Sequence, residues 1–195
     1  MCLALCVGRL PSLGTVLAQT ADLWGIALRV SMPPDEETTG GFASGEAGGG
    51  IYNRGMLTVT GSSIVSNTAN LYGGGVFNYQ KGTAAIKDSI ISGNGALRGG
   101  GICSLQHLGG TAKLSLQDSA ITGNYAPYGG GVSNNALAGG DADLSITGCT
   151  ISGNLSFGGR GGGVENYAAE FATSEATIRE SIVSGNTAWG SIGGG

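Results

Sequence analysis

Short aliphatic segments recur along the chain, and each is followed at a constant distance by an asparagine. In five successive segments an aliphatic residue precedes an asparagine by eight positions, with a second aliphatic residue five positions after the first. The pairs are Val59 and Asn67, Ile86 and Asn94, Leu116 and Asn124, Ile146 and Asn154, and Ile178 and Asn186. The aliphatic residues between them are Ile64, Ile91, Ile121, Ile151 and Val183. A constant offset of this kind indicates an internal repeat.

Glycine triplets mark a second position of the repeat. They occupy residues 48–50, 73–75, 99–101, 129–131, 161–163 and 193–195, so their starts are 25, 26, 30, 32 and 32 residues apart. Each of the first five is followed by a β-branched residue and, two positions later, by a small polar residue. The β-branched residues are Ile51, Val76, Ile102, Val132 and Val164, and the polar residues are Asn53, Asn78, Ser104, Asn134 and Asn166.

These short β-branched segments, separated by Gly, Asn, Ser and Asp, predict about three brief strands in each repeat. One repeat cannot bury its own apolar side, whereas repeats stacked about 4.8 Å apart pair their backbones and align identical side chains. A propeller blade needs about 40–45 residues and four strands, more than such a repeat supplies. The sequence therefore predicts an all-β protein, a parallel β-solenoid of about five coils with three short strands each.

Both asparagine columns are expected to form structural ladders. An amide stacked on another amide one coil away can donate a hydrogen bond to it at every step, and asparagine tolerates the left-handed backbone of a sharp corner. One predicted ladder contains Asn53, Asn78, Asn134 and Asn166, and the other contains Asn67, Asn94, Asn124, Asn154 and Asn186.

The first 47 residues lie outside this repeat, which we assign to residues 48–195. Apolar residues from Leu13 to Leu28, including Ala27, recur at helical spacing and predict a helix that caps the first coil. The alternative is a secretion signal that ends near Ala18. Residues 35–41 resemble a solvated linker. The triplet at 193–195 is expected to open a sixth repeat of a longer array, truncated here.

Composition narrows the classes of partner. Glycine accounts for 40 of 195 residues, but 41% of the residues are hydrophobic and only 11% are charged, which favours a packed core over disorder. Nine Lys and Arg against 13 Asp and Glu leave no basic surface for nucleic-acid phosphates, so no nucleic acid is expected. Polar residues interrupt every apolar stretch, and no transmembrane span is therefore expected.

The segments GGGVFN at 73–78, AAIKDSIISGN at 84–94 and SIVSGNTA at 181–188 carry a family resemblance. They resemble the right-handed parallel β-helix repeats of secreted and outer-surface bacterial proteins, of the polymorphic outer-membrane and autotransporter adhesin type. Pectate lyases and polygalacturonases have related folds. The resemblance implies a right-handed helix, and it is specific for fold rather than for function.

Carboxylates recur two positions after the aliphatic column. Asp88 and Asp118 would stack on adjacent coils there, and a close carboxylate pair suits glycosidic acid–base chemistry or calcium binding. They are the candidate catalytic residues, and turn initiation is the alternative role. His107 is the single histidine, and Cys103 and Cys149 fall in different columns, so we predict no metal site, no cofactor and no disulfide framework.

The candidate ligand-binding residues directly precede the glycine triplets. They are Tyr72, Arg98, Tyr128 and Arg160. Such groups could stack on sugars and hold acidic glycans, or pair with each other by cation–π contacts. Tyr52 and Phe77 are expected to extend this surface. Insertions at residues 105–110, 137–143 and 168–175 lengthen repeats three to five on one side, where solenoids commonly form a binding wall.

The expected function is non-enzymatic. The chain would be an adhesin-like or structural β-helix segment, secreted or on a bacterial cell surface, that presents a surface to glycans or surface proteins. One alternative is a polysaccharide lyase or glycoside hydrolase, or a fragment of one, acting on an acidic polysaccharide. Another is adsorption to ice through the polar column Ser92, Thr122, Ser152 and Ser184.

Overall fold

The protein is a parallel β-solenoid, as the repeat predicts. A computed structural model describes residues 27–31, 37–39, 42–43 and 47–190, with side chains from residue 47 onward. All regular elements in these ranges are strands, and the strands stack in parallel from coil to coil. The described ranges contain no helix that could span a membrane.

The described residues form 22 strands. In chain order they are β1 (Ala27–Ser31), β2 (Glu37–Thr39), β3 (Phe42–Ala43), β4 (Ile51–Asn53), β5 (Met56–Thr60), β6 (Ser63–Val65), β7 (Thr68–Ala69), β8 (Val76–Tyr79), β9 (Thr83–Lys87), β10 (Ile90–Ser92), β11 (Ile102–His107), β12 (Thr111–Gln117), β13 (Ala120–Thr122), β14 (Tyr125–Tyr128), β15 (Val132–Leu137), β16 (Asp141–Thr147), β17 (Thr150–Ser152), β18 (Leu155–Arg160), β19 (Val164–Ala168), β20 (Thr173–Arg179), β21 (Ile182–Ser184) and β22 (Thr187–Ala188).

Each coil passes through the same series of sheets after its glycine triplet. Sheet 1 has the order β4-β8-β11-β15-β19, and sheet 2 has the order β1-β5-β9-β12-β16-β20. Sheet 3 has the order β2-β6-β10-β13-β17-β21. Sheet 4 is short and consists of two parts, β3-β7 and β14-β18-β22, which single bridges connect through Gly95.

The sequence columns are the columns of the solenoid. Val59 pairs with Ile86, Ile86 with Leu116, Leu116 with Ile146, and Ile146 with Ile178. The first four of these residues are buried, together with the sheet 3 column of Ile64, Ile91, Ile121 and Ile151. Each fully buried aliphatic side chain stabilises the fold by about 1.5–3 kcal/mol. These inward columns are therefore the core.

The stack extends further toward the N-terminus than the sequence predicts. Sheets 2 and 3 contain six strands, one more than the five predicted coils, because β1 and β2 add a layer. Helical spacing predicts Ala27 and Leu28 in the cap helix, and this is wrong. They pair with Met56 and Leu57, since the edge of β5 offers them a complete row of backbone partners. The remainder of that helix and the alternative signal lie outside the described residues. Strand β2 covers part of the predicted linker.

The coil differs from the prediction in one further detail. A fourth short segment, sheet 4, follows the asparagine corner in addition to the three predicted strands. The predicted insertions lengthen sheets 1 and 2, so that β11 and β15 have six residues where β8 has four, and β12 has seven where β9 has five. A binding role of this side stays a prediction.

A continuous hydrogen-bonded ladder runs along the corner between sheets 3 and 4. The side-chain amide Nδ2 of Asn94 donates to Oδ1 of Asn124 at 3.0 Å, and that of Asn124 donates to Oδ1 of Asn154 at 3.0 Å. The backbone N–H of each residue donates to the same oxygen. Nδ2 of Asn124 also donates to the carbonyl of Ile91 at 3.0 Å. Asn67 and Asn186 extend the ladder to the neighbouring coils.

The second ladder, between sheets 1 and 2, is interrupted. Asn53 donates to Oδ1 of Asn78 at 2.7 Å, and Asn78 donates to the hydroxyl of Ser104 at 3.2 Å. Asn134 donates to Oδ1 of Asn166 at 2.9 Å, but its own Oδ1 accepts no described hydrogen bond. The hydroxyl of Ser104 is too short to continue the amide chain.

Replacing Asn124 by alanine tests the first ladder. Asn124→Ala removes the acceptor of two N–H groups of Asn94, and we expect it to lower the free energy of unfolding by about 3 kcal/mol. Urea unfolding followed by circular dichroism measures the loss. Thr122→Ala, on the outer side of the same coil, is the matched control and should cost less than about 1 kcal/mol. Equal losses for the two variants would contradict a ladder role.

Candidate functional site

The four predicted ligand-binding residues form one column. Tyr72 pairs with Arg98, Arg98 with Tyr128, and Tyr128 with Arg160, each in the following coil. The column lies between sheet 4 and sheet 1, and all four side chains are half-buried. We call it the Tyr/Arg ridge. The spacing in the sequence brings these residues together, and their role in binding stays a prediction.

The rings of the ridge already have partners within the protein. The guanidinium carbon Cζ of Arg98 lies 4.8 Å from the ring centroid of Tyr128, and that of Arg160 lies 5.6 Å from the same centroid. Tyr72 stacks on Phe77 with 5.2 Å between ring centroids. An exposed cation–π contact contributes about 0.5–1 kcal/mol. The ridge therefore offers a ligand fixed guanidinium N–H groups rather than open aromatic faces.

The outer face of sheet 1, beside the ridge, is apolar in the first coils. Phe77, Cys103 and Leu105 are buried there. The ring of Phe77 lies 5.4 Å from that of Tyr52 and 5.2 Å from that of Tyr79. The sequence predicts that Phe77 extends the binding surface together with Tyr52. It fills a small second core instead, because the neighbouring rings cover it, and Tyr52 is half-buried against it.

The same face becomes polar in the later coils. The hydroxyl of Ser133 donates to Oε2 of Glu165 at 2.6 Å, and Nδ2 of Asn135 donates to the hydroxyl oxygen of Ser133 at 2.6 Å. Nδ2 of Asn135 also lies 4.0 Å from the sulfur of Cys103. All four residues are buried. We call them the polar cluster.

The polar cluster is joined to the ridge through its carboxylate. Nη1 of Arg160 lies 4.0 Å from Oε1 of Glu165, and this oxygen accepts no described hydrogen bond. Oδ1 of Asn135 is likewise without a described donor. A buried carboxylate is stable only when it is paired and hydrogen-bonded. Ser133 and Arg160 therefore hold Glu165 in place, and Glu165 in turn orients Arg160.

The thiol of the polar cluster is chemically inert at neutral pH. Burial raises the pKa of Cys103 well above its usual range, the carboxylate of Glu165 raises it further, and Arg98 and Asn135 oppose this only weakly. Because the thiolate is the nucleophile, a protonated, buried thiol does not react. Burial also raises the pKa of Cys149, and both cysteines are free.

Asp88 and Asp118, the candidate catalytic pair, lie at exposed turns between sheets 2 and 3, one coil apart. Their backbones are left-handed, with φ of 50° and 47°. Oδ2 of Asp88 lies 4.0 Å from Nζ of Lys87, and Oδ2 of Asp118 accepts a hydrogen bond from Gln117 at 2.9 Å. The same conformation occurs at the equivalent positions Gly61, Gly148 and Glu180. These contacts are those of turn residues, and a catalytic role stays a prediction.

The remaining candidates are dispersed over other faces. His107 ends β11, and no three His, Cys, Asp or Glu side chains converge within residues 47–190. Ser92, Thr122, Ser152 and Ser184 align in register on sheet 3. A shallow groove of about 580 Å³ crosses the outer face of sheet 2. Its charged lining residues are Lys113, Asp143, Glu175 and Arg179.

The polar cluster was not predicted from the sequence. Its members follow the β-branched column by one or three positions, where strand alternation assigns them to the outer face. Their burial depends on the ridge and on the lengthened strands of sheet 1. In the sequence these lengthened strands are visible only as insertions. The signal that could have found them is the change from Phe77 and Cys103 to Ser133 and Glu165 at one repeat position.

Comparison of the chain with protein-family models, with curated proteins and with solved structures gives no match.

A double-mutant cycle tests whether Ser133 and Glu165 interact as described. Ser133→Ala removes the hydrogen bond to a buried carboxylate, and we expect the free energy of unfolding, measured in urea, to fall by about 2 kcal/mol. The double variant Ser133→Ala/Glu165→Leu should show a coupling energy of at least about 1 kcal/mol. Ser115→Ala, on the exposed face of sheet 2, is the control and should be additive with Glu165→Leu. Additivity in both cycles would refute the contact.

Proposed function

We propose that this chain is a non-enzymatic, adhesin-like β-helix segment of a secreted or cell-surface protein that binds anionic glycans or proteins through the Tyr/Arg ridge. The observation that carries the proposal is the fixed position of two guanidinium groups, Arg98 and Arg160, on one line along the solenoid. The resemblance of the repeats to bacterial surface β-helices supports the proposed location.

The spacing of these cations suits an extended polyanion. Arg98 and Arg160 lie two coils apart, and because adjacent strands are about 4.8 Å apart, the two groups recur at about 10 Å along the axis. Their contacts with Tyr128 hold both side chains before a ligand arrives. Prior ordering reduces the conformational entropy that binding must remove.

Arg98 is the more available of the two cations. Arg160 lies against the carboxylate of Glu165, whereas no described carboxylate lies within 4.0 Å of the Arg98 guanidinium. A guanidinium group presents several N–H donors in a planar fork that matches carboxylate and sulfate oxygens. Arg98 is therefore expected to contribute more to anion binding than Arg160.

Replacing Arg98 by glutamine tests this proposal. Arg98→Gln should weaken binding to heparin or polygalacturonate at least about fivefold, about 1 kcal/mol, and should reduce the dependence of binding on salt. Titration calorimetry at two salt concentrations measures both effects.

Lys113→Gln, which makes the same charge change on the outer face of sheet 2, is the matched control and should bind as the native chain does. Thermal unfolding checks that both variants are folded. If neither polyanion binds, or if the two variants bind equally, the ridge is not the anion site.

A further inference from the structure

Exposed rings follow the outer face of sheet 4, next to the ridge. Tyr125 in β14, Phe157 in β18 and Trp189 directly after β22 are 44%, 50% and 64% exposed, one on each of three successive coils. Leu97, 39% exposed, occupies the coil before them. We call these four side chains the aromatic strip.

The strip is on the outer face because its neighbours in the chain point inward. Ala126 and Ser156 are buried. Because side chains alternate along a strand, their neighbours Tyr125 and Phe157 point outward. Trp189 follows Ala188, which pairs with Ser156. Phe157 and Trp189 therefore occupy equivalent positions on adjacent coils.

The rings of the strip are open, in contrast to those of the ridge. Every ring contact and cation–π contact found within residues 47–190 involves Tyr52, Tyr72, Phe77, Tyr79, Tyr128 or Tyr167. None involves a ring of the strip. Tyr125 rests on Gly95 with part of its ring, and all three rings are about half exposed or more. Their exposed faces are therefore available to C–H groups of a ligand.

The backbone under the strip is fixed. The ring of Tyr125 lies over Gly95, and a Cβ at this position would displace it. The pairing between β14 and β18 changes register before Arg160, where β18 forms a bulge. The hydroxyl of Ser156 anchors this bulge by donating to the carbonyl of Pro127 at 2.8 Å. The N–H of Trp189 donates to the carbonyl of Ser156 at 2.7 Å. The rings are presented from a rigid support, which favours binding.

Charge and size indicate what covers the strip. Residues 123–127, 153–159 and 185–190 contain no Lys, Arg, Asp, Glu or His, so the surface is neutral. Three coils about 4.8 Å apart and strands of about 3.3 Å per residue give an area of a few hundred Å², about 15 Å in each direction. A standard protein interface needs about 800 Å² from each partner. The strip is too small for that, and its length suits about three sugar rings.

We propose that the aromatic strip binds neutral β-linked polysaccharides, with their pyranose rings stacked on Tyr125, Phe157 and Trp189. Pyranoses whose hydroxyl groups are equatorial carry C–H bonds on both ring faces, and these faces match open aromatic rings. Tyr125 and Phe157 lie three residues before the ridge residues Tyr128 and Arg160 on the same strands. The strip takes an uncharged ligand on its ring faces, so binding there does not require the guanidinium group of Arg98.

Retention of the full chain on insoluble cellulose and chitin tests the proposal. The native chain should be retained, and Phe157→Ala/Trp189→Ala should bind at least tenfold more weakly. Phe171→Ala removes a fully exposed ring at a turn between sheets 1 and 2 and should leave retention unchanged. The conservative variant Phe157→Tyr/Trp189→Phe keeps the rings and should restore most of the binding, which separates stacking from any effect on folding.

Tryptophan fluorescence provides a second measurement. The chain contains two tryptophans, and Trp24→Phe leaves Trp189 as the single reporter. Cellohexaose or chitohexaose should shift its emission to the blue, whereas heparin should not. Arg98→Gln should leave this shift intact, so that the two sites are tested separately.

The proposal is overturned if neither hexaose changes the emission and neither solid retains the native chain. It is also overturned if the native chain forms a concentration-dependent dimer in light scattering that Phe157→Ala/Trp189→Ala abolishes. In that case the strip is a self-association surface.

Discussion

The solenoid depends on the close packing of the third glycine of each triplet against the triplet of the next coil and the ladder asparagine of its own coil. A Cβ on Gly101 would lie 3.0 Å from Cγ of Asn124 and 2.6 Å from the carbonyl oxygen of Gly131 in the next coil. The equivalent pairs are Gly50 with Asn67, Gly75 with Asn94, Gly131 with Asn154 and Gly163 with Asn186. The carbonyl of the next coil, with the asparagine amide beside it, occupies the space that a side chain would need, so only glycine fits where the coils stack at this corner.

This contact also makes the glycine-rich chain rigid. The N–H of Gly100 donates to the carbonyl of Gly129 at 3.1 Å, and that of Gly101 donates to the carbonyl of Gly130 at 3.2 Å. Backbone groups that glycine would otherwise leave flexible are thus paired from coil to coil. The rise between coils is set by these bonds and by the asparagine ladder. Outward residues do not take part in either, and they can differ between coils without changing the register.

Inward and outward positions differ in how far the sequence predicts them. Stacking forces Val59, Ile86 and Leu116 to be alike, so the inward columns and the coil period could be predicted from spacing alone. Strands β1 and β2 could not be predicted in this way because no glycine triplet precedes them. The polar cluster could not be predicted because the burial of Ser133 and Glu165 depends on neighbours in other coils. Spacing did place the Tyr/Arg ridge, but it could not show that Tyr128 is already in contact with two guanidinium groups.

One outward column shows how side chains of different chemistry are accommodated on the same scaffold. Tyr52, Phe77, Cys103, Ser133 and Glu165 occupy the same position on successive coils and pass from aromatic to charged. A buried carboxylate at this position is unfavourable unless neighbours compensate its charge. Ser133 from the preceding coil and Arg160 from the adjacent ridge do so, while Phe77 needs only other rings. The properties of each outer face are therefore set by residues from adjacent coils in combination, which no single repeat contains.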